Sequence, residues 1–244
     1  MDNDQEVTEV KNNLKNYKKI DIGMAIIVAG ALIAGSILIS LSWFIPEKTE
    51  PNLGDPSLTA IKMAPVTEKD HFFGNLKSSI AIVEYSDTEC PFCKEFHKTM
   101  HKVMEKYGDD VVWIYRIFPL DNIHPKSRHE AQAVLCANEL KGNIDGFWKY
   151  IDKLFEITPS NNGLDENLLP QIAKDLGFDE IAFNTCLESD RYQKEIEKSF
   201  EEGQKVGFDG TPFSAILKDG KIVDVIRGAA SSDVISAKID VLLK

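Results

Sequence analysis

Val83-Glu84-Tyr85-Ser86-Asp87-Thr88-Glu89-Cys90-Pro91-Phe92-Cys93 is the stretch that decides how this chain is read. Upstream, Ser79 to Tyr85 is β-branched and mostly apolar, a pattern that predicts a buried strand. Downstream, Phe92, Phe96, Met100, Val103, Met104 and Tyr107 recur at helical spacing, so a helix opens at Pro91. Two cysteines separated by Pro-Phe therefore stand where a strand gives way to a helix. The first turn of a helix presents unpaired N–H groups and the positive end of the macrodipole, and both favour an anion. Cys90 falls at the N-cap and Pro91 at the first helical position, where its missing N–H does no harm. A thiolate at Cys90 is stabilised there, and the thiolate is the reactive species in disulfide exchange. Cys93 is placed to attack a mixed disulfide formed at Cys90.

The bland reading of the same pair is half of a zinc site. Zinc would need a second close pair of Cys or His. Cys136 and Cys186 are single and distant, although His97 and His101 lie one and two turns beyond Cys93. Redox chemistry is the better reading, with no metal and no organic cofactor implied. His97, His101, His124 and His129 show no fixed partner spacing and are read as surface or capping residues. Glu195, Glu197, Glu201 and Glu202 read as a solvated helix face. Glu84 is either a strand's solvent-facing acid or a buried one. Its register partners Ile80 and Ile82 are apolar, as are Ala81, Val83 and Tyr85 on the other face, which favours burial.

The chain has 244 residues, room for one large domain or two small ones. Its 28 Lys+Arg against 39 Asp+Glu argue against nucleic acid as a partner. Four cysteines do not make a disulfide-dense scaffold, but fit a CxxC pair plus one further bridge.

Taken in order, residues 1–21 are polar and read as a cytoplasmic tail. Residues 22–45 carry no charge over 24 positions and are long enough to cross a bilayer as a helix. Trp43 and Phe44 sit at the far end, where aromatic rings suit the interface. A cleaved signal peptide would have a shorter apolar core followed by an Ala-x-Ala-like site, and Ser40 to Pro46 offers none. A retained single-pass anchor is the expectation. Lys11, Lys15, Lys18 and Lys19 precede the span and only Lys48 follows closely. The positive-inside rule then puts the bulk of the chain on the periplasmic or extracytoplasmic side of the cytoplasmic membrane, where disulfides persist. Residues 46–65 read as a linker, with a short edge strand from Leu58 to Met63, and residues 66–244 as the folded domain.

In that domain Val111 to Phe118 predicts a second buried strand after the helix stop Gly108-Asp109-Asp110. Helices are predicted from Pro125 to Leu140, Asp145 to Ile157, Asp165 to Leu176, Asp179 to Leu187 and Arg191 to Val206. Phe213 to Leu217 and Ile222 to Ile226 form a hairpin around Asp219-Gly220, and Ser231 to Leu243 closes as a helix. Strand, CxxC helix, strand, helices, hairpin and helix together make a mixed α/β sheet.

These residues resemble the DsbA-like thiol–disulfide oxidoreductases of the thioredoxin superfamily, and within them the membrane-anchored branch. The resemblance covers about residues 70–243. It is carried by Val83-Glu84-Tyr85-Ser86-Asp87 before Cys90-Pro91-Phe92-Cys93, by Arg116-Ile117-Phe118-Pro119-Leu120, by His124-Pro125, and by Gly210-Thr211-Pro212-Phe213. It implies an α/β thioredoxin-like fold with a helical insertion at roughly 122–205. It makes Cys90 the nucleophile and Cys93 the resolving cysteine of a redox-active disulfide. Thr211-Pro212 matches the loop whose proline is cis and packs against the pair, leaving the Thr211 backbone to hold substrate. Glu84 matches a buried acid that relays the proton of Cys93. Cys136 and Cys186, otherwise two buried free thiols, match a second, structural disulfide of this branch.

The implied activity is disulfide formation in exported proteins, with a membrane redox partner, a quinone-linked protein, reoxidising the pair. The Pro-Phe dipeptide lacks the histidine that stabilises the thiolate in strongly oxidising members. The direction of electron flow therefore stays open between an oxidase and a reductase or isomerase. A reading from another class, a non-catalytic holdase or assembly module, would make the cysteines incidental.

Overall fold

The computed structural model describes Leu58 and residues 60–244. The expected tail, membrane span and most of the linker lie outside the described residues. Among the described residues no helix is long and apolar enough to cross a membrane.

The first strand is β1, His71–Gly74, followed by β2, Ile80–Ser86. Helix α1, Pro91–Tyr107, leads to β3, Val111–Ile117. Five helices follow: α2, Ser127–Gly142; α3, Lys149–Ile157; α4, Leu168–Asp175; α5, Glu180–Leu187; and α6, Gln193–Val206. The hairpin is β4, Phe213–Lys218, with β5, Lys221–Arg227, and α7, Ser232–Leu242, ends the chain.

The strands form one sheet in the order β1-β3-β2-β4-β5. Only β2 and β3 run parallel, joined by α1, with Glu84 beside Tyr115 in the register. Every residue of β2 and β3 is buried, as befits central strands covered on both faces. The alternation of β2 divides the core. Ile80 and Ile82 face α1, α7 and the helical insertion, through Phe96, Met100, Ile235, Trp148 and Leu154. Ala81, Val83 and Tyr85 face the second layer, with Phe118, Val206 and Phe213.

The expected strand at Leu58 to Met63 is not formed among the described residues of that stretch. One sheet edge is β5 and the other is β1, which pairs antiparallel with β3, Phe72 against Ile114. Four residues are too few to show a period. It ends at Gly74 (φ +96°), where a Cβ would lie 2.8 Å from the Met104 side chain and 2.9 Å from the Val111 carbonyl. The helix expected from Asp145 to Ile157 is α-helical only from Lys149. Asn143–Trp148 instead forms π-helical turns. Gly146 lies so close to the Ala137 carbonyl of α2 that any Cβ would collide with it.

Candidate active site

Cys90 caps α1 in an extended conformation (φ −77°, ψ 121°), with Pro91 beginning the helix and the Lys94 amide donating to the Cys90 carbonyl at 3.1 Å. Strand β2 delivers the chain to this point. Both thiols are buried, Cys90 at 4 % exposure and Cys93 at 0 %. The Asp87 amide donates to Cys93 Sγ at 3.4 Å, and Cys90 Sγ lies 3.4 Å from the Thr211 carbonyl oxygen, to which its thiol form donates. Thr211-Pro212, joined by a cis bond just before β4, thus lies directly against the CxxC turn.

The two sulfurs are driven apart electrostatically. A hydrogen bond from the Cys93 thiol is the largest influence on Cys90 and brings its pKa down from 9.0 to about 6. Burial opposes this, while Thr211 and the amides of Cys93 and Phe92 reinforce it. Those amides are the unpaired donors of the first helical turn. The Thr211 hydroxyl, buried and without another partner among the described residues, is available to donate to the thiolate. Cys93 is pushed well above its ordinary range, first by burial, then by its bond to Cys90 and by the Cys90 and Glu84 charges. One cysteine is a thiolate at neutral pH and the other stays a thiol.

Glu84 is fully buried, with Trp113 Nε1 donating to its Oε2 at 2.8 Å. Its Oε1 has no hydrogen-bond partner among the described residues. Burial raises its pKa from 4.5 to about 7, against the opposing influence of nearby Ser86 and of the Trp113 bond. A carboxyl balanced near neutrality can either hold or release a proton.

A second set of residues at the site went unread in the sequence. Asp87, 1 % exposed, accepts from the amides of Glu89 at 2.7 Å and Leu120 at 2.6 Å and pairs with His124 Nδ1 at 3.0 Å. It fixes the turn before Cys90 against the segment after β3. Glu89 is fully buried, and its carbonyl accepts from the Asn161 amide at 2.8 Å. Its Oε2 accepts from the Asn162 amide, so the loop between α3 and α4 docks beside Cys90. Lys94 Nζ reinforces the docking by donating to the Thr158 carbonyl at 2.5 Å. Glu130 of α2 is also fully buried, and burial, with the Glu89 carboxyl close by, lifts its pKa from 4.5 to about 9. Asp87 and Glu89 stand among Ser86 and Thr88, and Glu130 between His129 and Ala131, so nothing local in the sequence marks any of the three as buried.

Of the expected site residues, Cys90, Cys93, Thr211 and Pro212 come together, and Glu84 lies beneath them. Cys136 and Cys186 lie elsewhere, bonded to each other across the insertion with Cα atoms 5.8 Å apart, tying α2 to α5. The reading of the histidines as surface or capping residues fails for His97 and His124, which are 3 % and 4 % exposed, because both have carboxylate partners distant in sequence. Glu202 is also not simply solvated. It accepts from Arg116 Nη1 at 2.6 Å and from the Tyr85 hydroxyl at 2.7 Å. Phe92, between the cysteines, is 64 % exposed. An open cleft lined by Phe118, Leu120, Ile123 and Phe208 runs to Gly210, next in sequence to Thr211.

A model of the thioredoxin family matches residues 66–240, and the chain belongs to that family. Among solved structures the fold is similar to BdbD from Bacillus subtilis, with a TM-score of 0.65 and 23 % identity over 76 % of this chain and 99 % of that one. It is also similar to α-DsbA1 from Wolbachia pipientis, with a TM-score of 0.62 and 24 % identity over 73 % and 92 %. These likenesses establish a DsbA-like thioredoxin fold with a helical insertion. The chain is 34 % identical over 128 residues to a Na(+)/H(+) antiporter NhaA 1 of Mycolicibacterium gilvum, covering 52 % of this chain. It spans one fifth of that relative's length, 20 %.

Proposed function

We propose that this protein is a thiol–disulfide oxidoreductase that donates the Cys90–Cys93 disulfide to exported proteins. The observation that carries the reading is the asymmetry of the pair: a Cys90 thiolate held down to about 6 beside a buried Cys93 thiol held up. A substrate thiolate attacks the Cys90 sulfur, and the Cys93 sulfur leaves with the electron pair and takes up a proton. A second substrate thiolate then attacks its own sulfur in the mixed disulfide, expelling Cys90 as a thiolate. The substrate is oxidised by two electrons and the enzyme reduced by two. A low pKa makes Cys90 a good leaving group and stabilises the reduced enzyme, which favours oxidation of the substrate.

Glu84 serves as the proton relay for Cys93, its carboxyl lying near neutrality at about 7. The exposed Phe92 and the cleft leading to Gly210 offer apolar contact to an unfolded chain, and the Thr211 backbone offers hydrogen bonds. The likeness to a solved thiol–disulfide exchange protein, α-DsbA2 of Wolbachia pipientis, supports the class of reaction. We place the domain outside the cytoplasmic membrane on the anchor at residues 22–45, with a quinone-linked membrane protein as reoxidant.

The test is catalysed oxidation of a reduced, unfolded ribonuclease in a glutathione buffer. Wild-type protein should accelerate it, Cys90→Ser should abolish the acceleration, and Cys93→Ala should accumulate a mixed disulfide at Cys90. Undiminished activity in Cys90→Ser would remove the proposal. The reductase or isomerase alternative uses the same pair and is separated by its reduction potential.

A further inference from the structure

On the buried face of α1 the turn after Cys93 carries His97 and the next turn carries His101. Four residues apart, they share one face of the helix. Asp152, on α3 of the insertion, reaches across to both. His97 Nε2 lies 2.7 Å from Asp152 Oδ1, His101 Nε2 lies 2.9 Å from the same oxygen, and the two Nε2 atoms lie 3.2 Å apart. Three lone-pair donors therefore form a small, nearly equilateral triangle.

We propose that His97, His101 and Asp152 are a binding site for one divalent transition-metal ion of the zinc class, cross-linking the catalytic helix to the helical insertion. A point about 2.0–2.1 Å from all three donors, the usual Zn–N and Zn–O distance, lies roughly 1 Å above their plane. That is the tripod of two imidazoles and a carboxylate, with a further position open. Imidazole with carboxylate suits zinc and its neighbours better than magnesium or calcium, which take oxygen.

The surroundings fit this role. His97 is closed in, its side chain 4 % exposed, while those of His101 and Asp152 are 35 % and 42 % exposed. An ion can thus enter from solvent, and a water can complete its shell. The inner wall is aromatic: Trp113 and Phe155 flank His97 with ring centroids 5.0 and 4.8 Å away, and Phe73 meets His101 edge-on at 5.5 Å. The indole donors of that wall are engaged elsewhere, Trp113 with Glu84 and Trp148 with the Phe72 carbonyl. No cation of the chain bonds to Asp152 among the described residues, since only the two imidazoles pair with it. His97 Nδ1 has no partner among the described residues. Lacking that orienting bond lowers affinity by about 10- to 100-fold, so the site is an exchangeable one.

The test uses the full chain in detergent, stripped of metal and with Cys90 and Cys93 oxidised so that no thiolate competes. Calorimetric titration with Zn²⁺ should show one ion per chain, and Tm should rise by about 5–10 °C at a hundredfold excess over Kd. Co²⁺ should give the visible bands of a low-coordinate nitrogen and oxygen site. His101→Ala and Asp152→Asn, both partly exposed and outside the core, should each weaken Zn²⁺ binding at least tenfold while leaving metal-free Tm near wild type. Absence of saturable one-to-one binding, or wild-type affinity in either variant, would overturn the proposal.

Discussion

Cys90 and Glu84 are the residues on which the chemistry turns, and each has a titration that can be measured. With its pKa at about 6, Cys90 is a thiolate above that pH and a thiol below it. The alkylation rate of the reduced protein should therefore climb with pH around a midpoint near 6 and be flat by neutrality. A midpoint near an ordinary thiol, about 8.5, would contradict the assigned environment. Glu84 behaves in the opposite sense. Its folded pKa is raised from 4.5 to about 7, so the folded state gains from the bound proton at low pH and loses that advantage as pH rises through 7. A shift of this size corresponds to roughly 3 kcal/mol. With the cysteines oxidised, Glu84→Gln should lose less stability than wild type on going from about pH 5 to about pH 8, measured by denaturant midpoints. Parallel pH profiles in the two proteins would refute the assignment. Both residues were legible in the sequence because their signals are local: a CxxC turn at a strand–helix junction, and one acid in an apolar run. Asp87, Glu89 and Glu130 were not, because what gives each its role lies far away. Asp87 meets His124 across 37 residues and Glu89 meets Asn162 across 73.

Among the elements, the strongly periodic ones could be read and the short or distorted ones could not. The helix after the CxxC turn and the Asp219-Gly220 hairpin announce themselves in periods and turn residues. Strand β1 does not, since His71–Gly74 is only 4 residues long. The π-helical turns at Asn143–Trp148 also gave no sign, because Gly146 is there for its contact with α2, a fact of packing rather than of local sequence. At this scale the Cys136–Cys186 bridge makes the clearest prediction. It closes a separation of 50 residues between α2 and α5, worth about 4 kcal/mol in the chain-entropy account. Replacing both cysteines by alanine should lower stability by about 2–5 kcal/mol while leaving Cys90 alkylation intact. Insertion helices that unfold no more readily without the bridge, followed by amide exchange, would argue that it carries no load. Arg116 holds a comparable junction, bonding Asp70 before β1 at 2.8 Å and Glu202 of α6 at 2.6 Å with only 6 % of its side chain exposed.

For the molecule as a whole, the thioredoxin core supplies the redox turn and the cis-proline loop, and the insertion supplies what surrounds them. The loop between α3 and α4 backs Cys90, α2 contributes Glu130, and α3 contributes Asp152. The layer order was legible because a strand–helix–strand unit followed by an antiparallel hairpin admits few arrangements. How the insertion packs on the core was not, since it rests on contacts between elements rather than on periods within them. The proposed placement of the domain outside the membrane leads to a further expectation. In right-side-out vesicles a membrane-impermeant maleimide should label reduced Cys90 without lysis, whereas labelling only after lysis would reverse the topology. The central claim is that this pair gives disulfides rather than removing them. Its most direct test is the reduction potential of Cys90–Cys93, measured by equilibrating the protein with glutathione buffers. A Cys90 thiolate at about 6, below the roughly 7 of thioredoxin and above the roughly 3.5 of DsbA, predicts a value between the roughly −270 mV of thioredoxin and the roughly −120 mV of DsbA, and a value at or below thioredoxin's would contradict it.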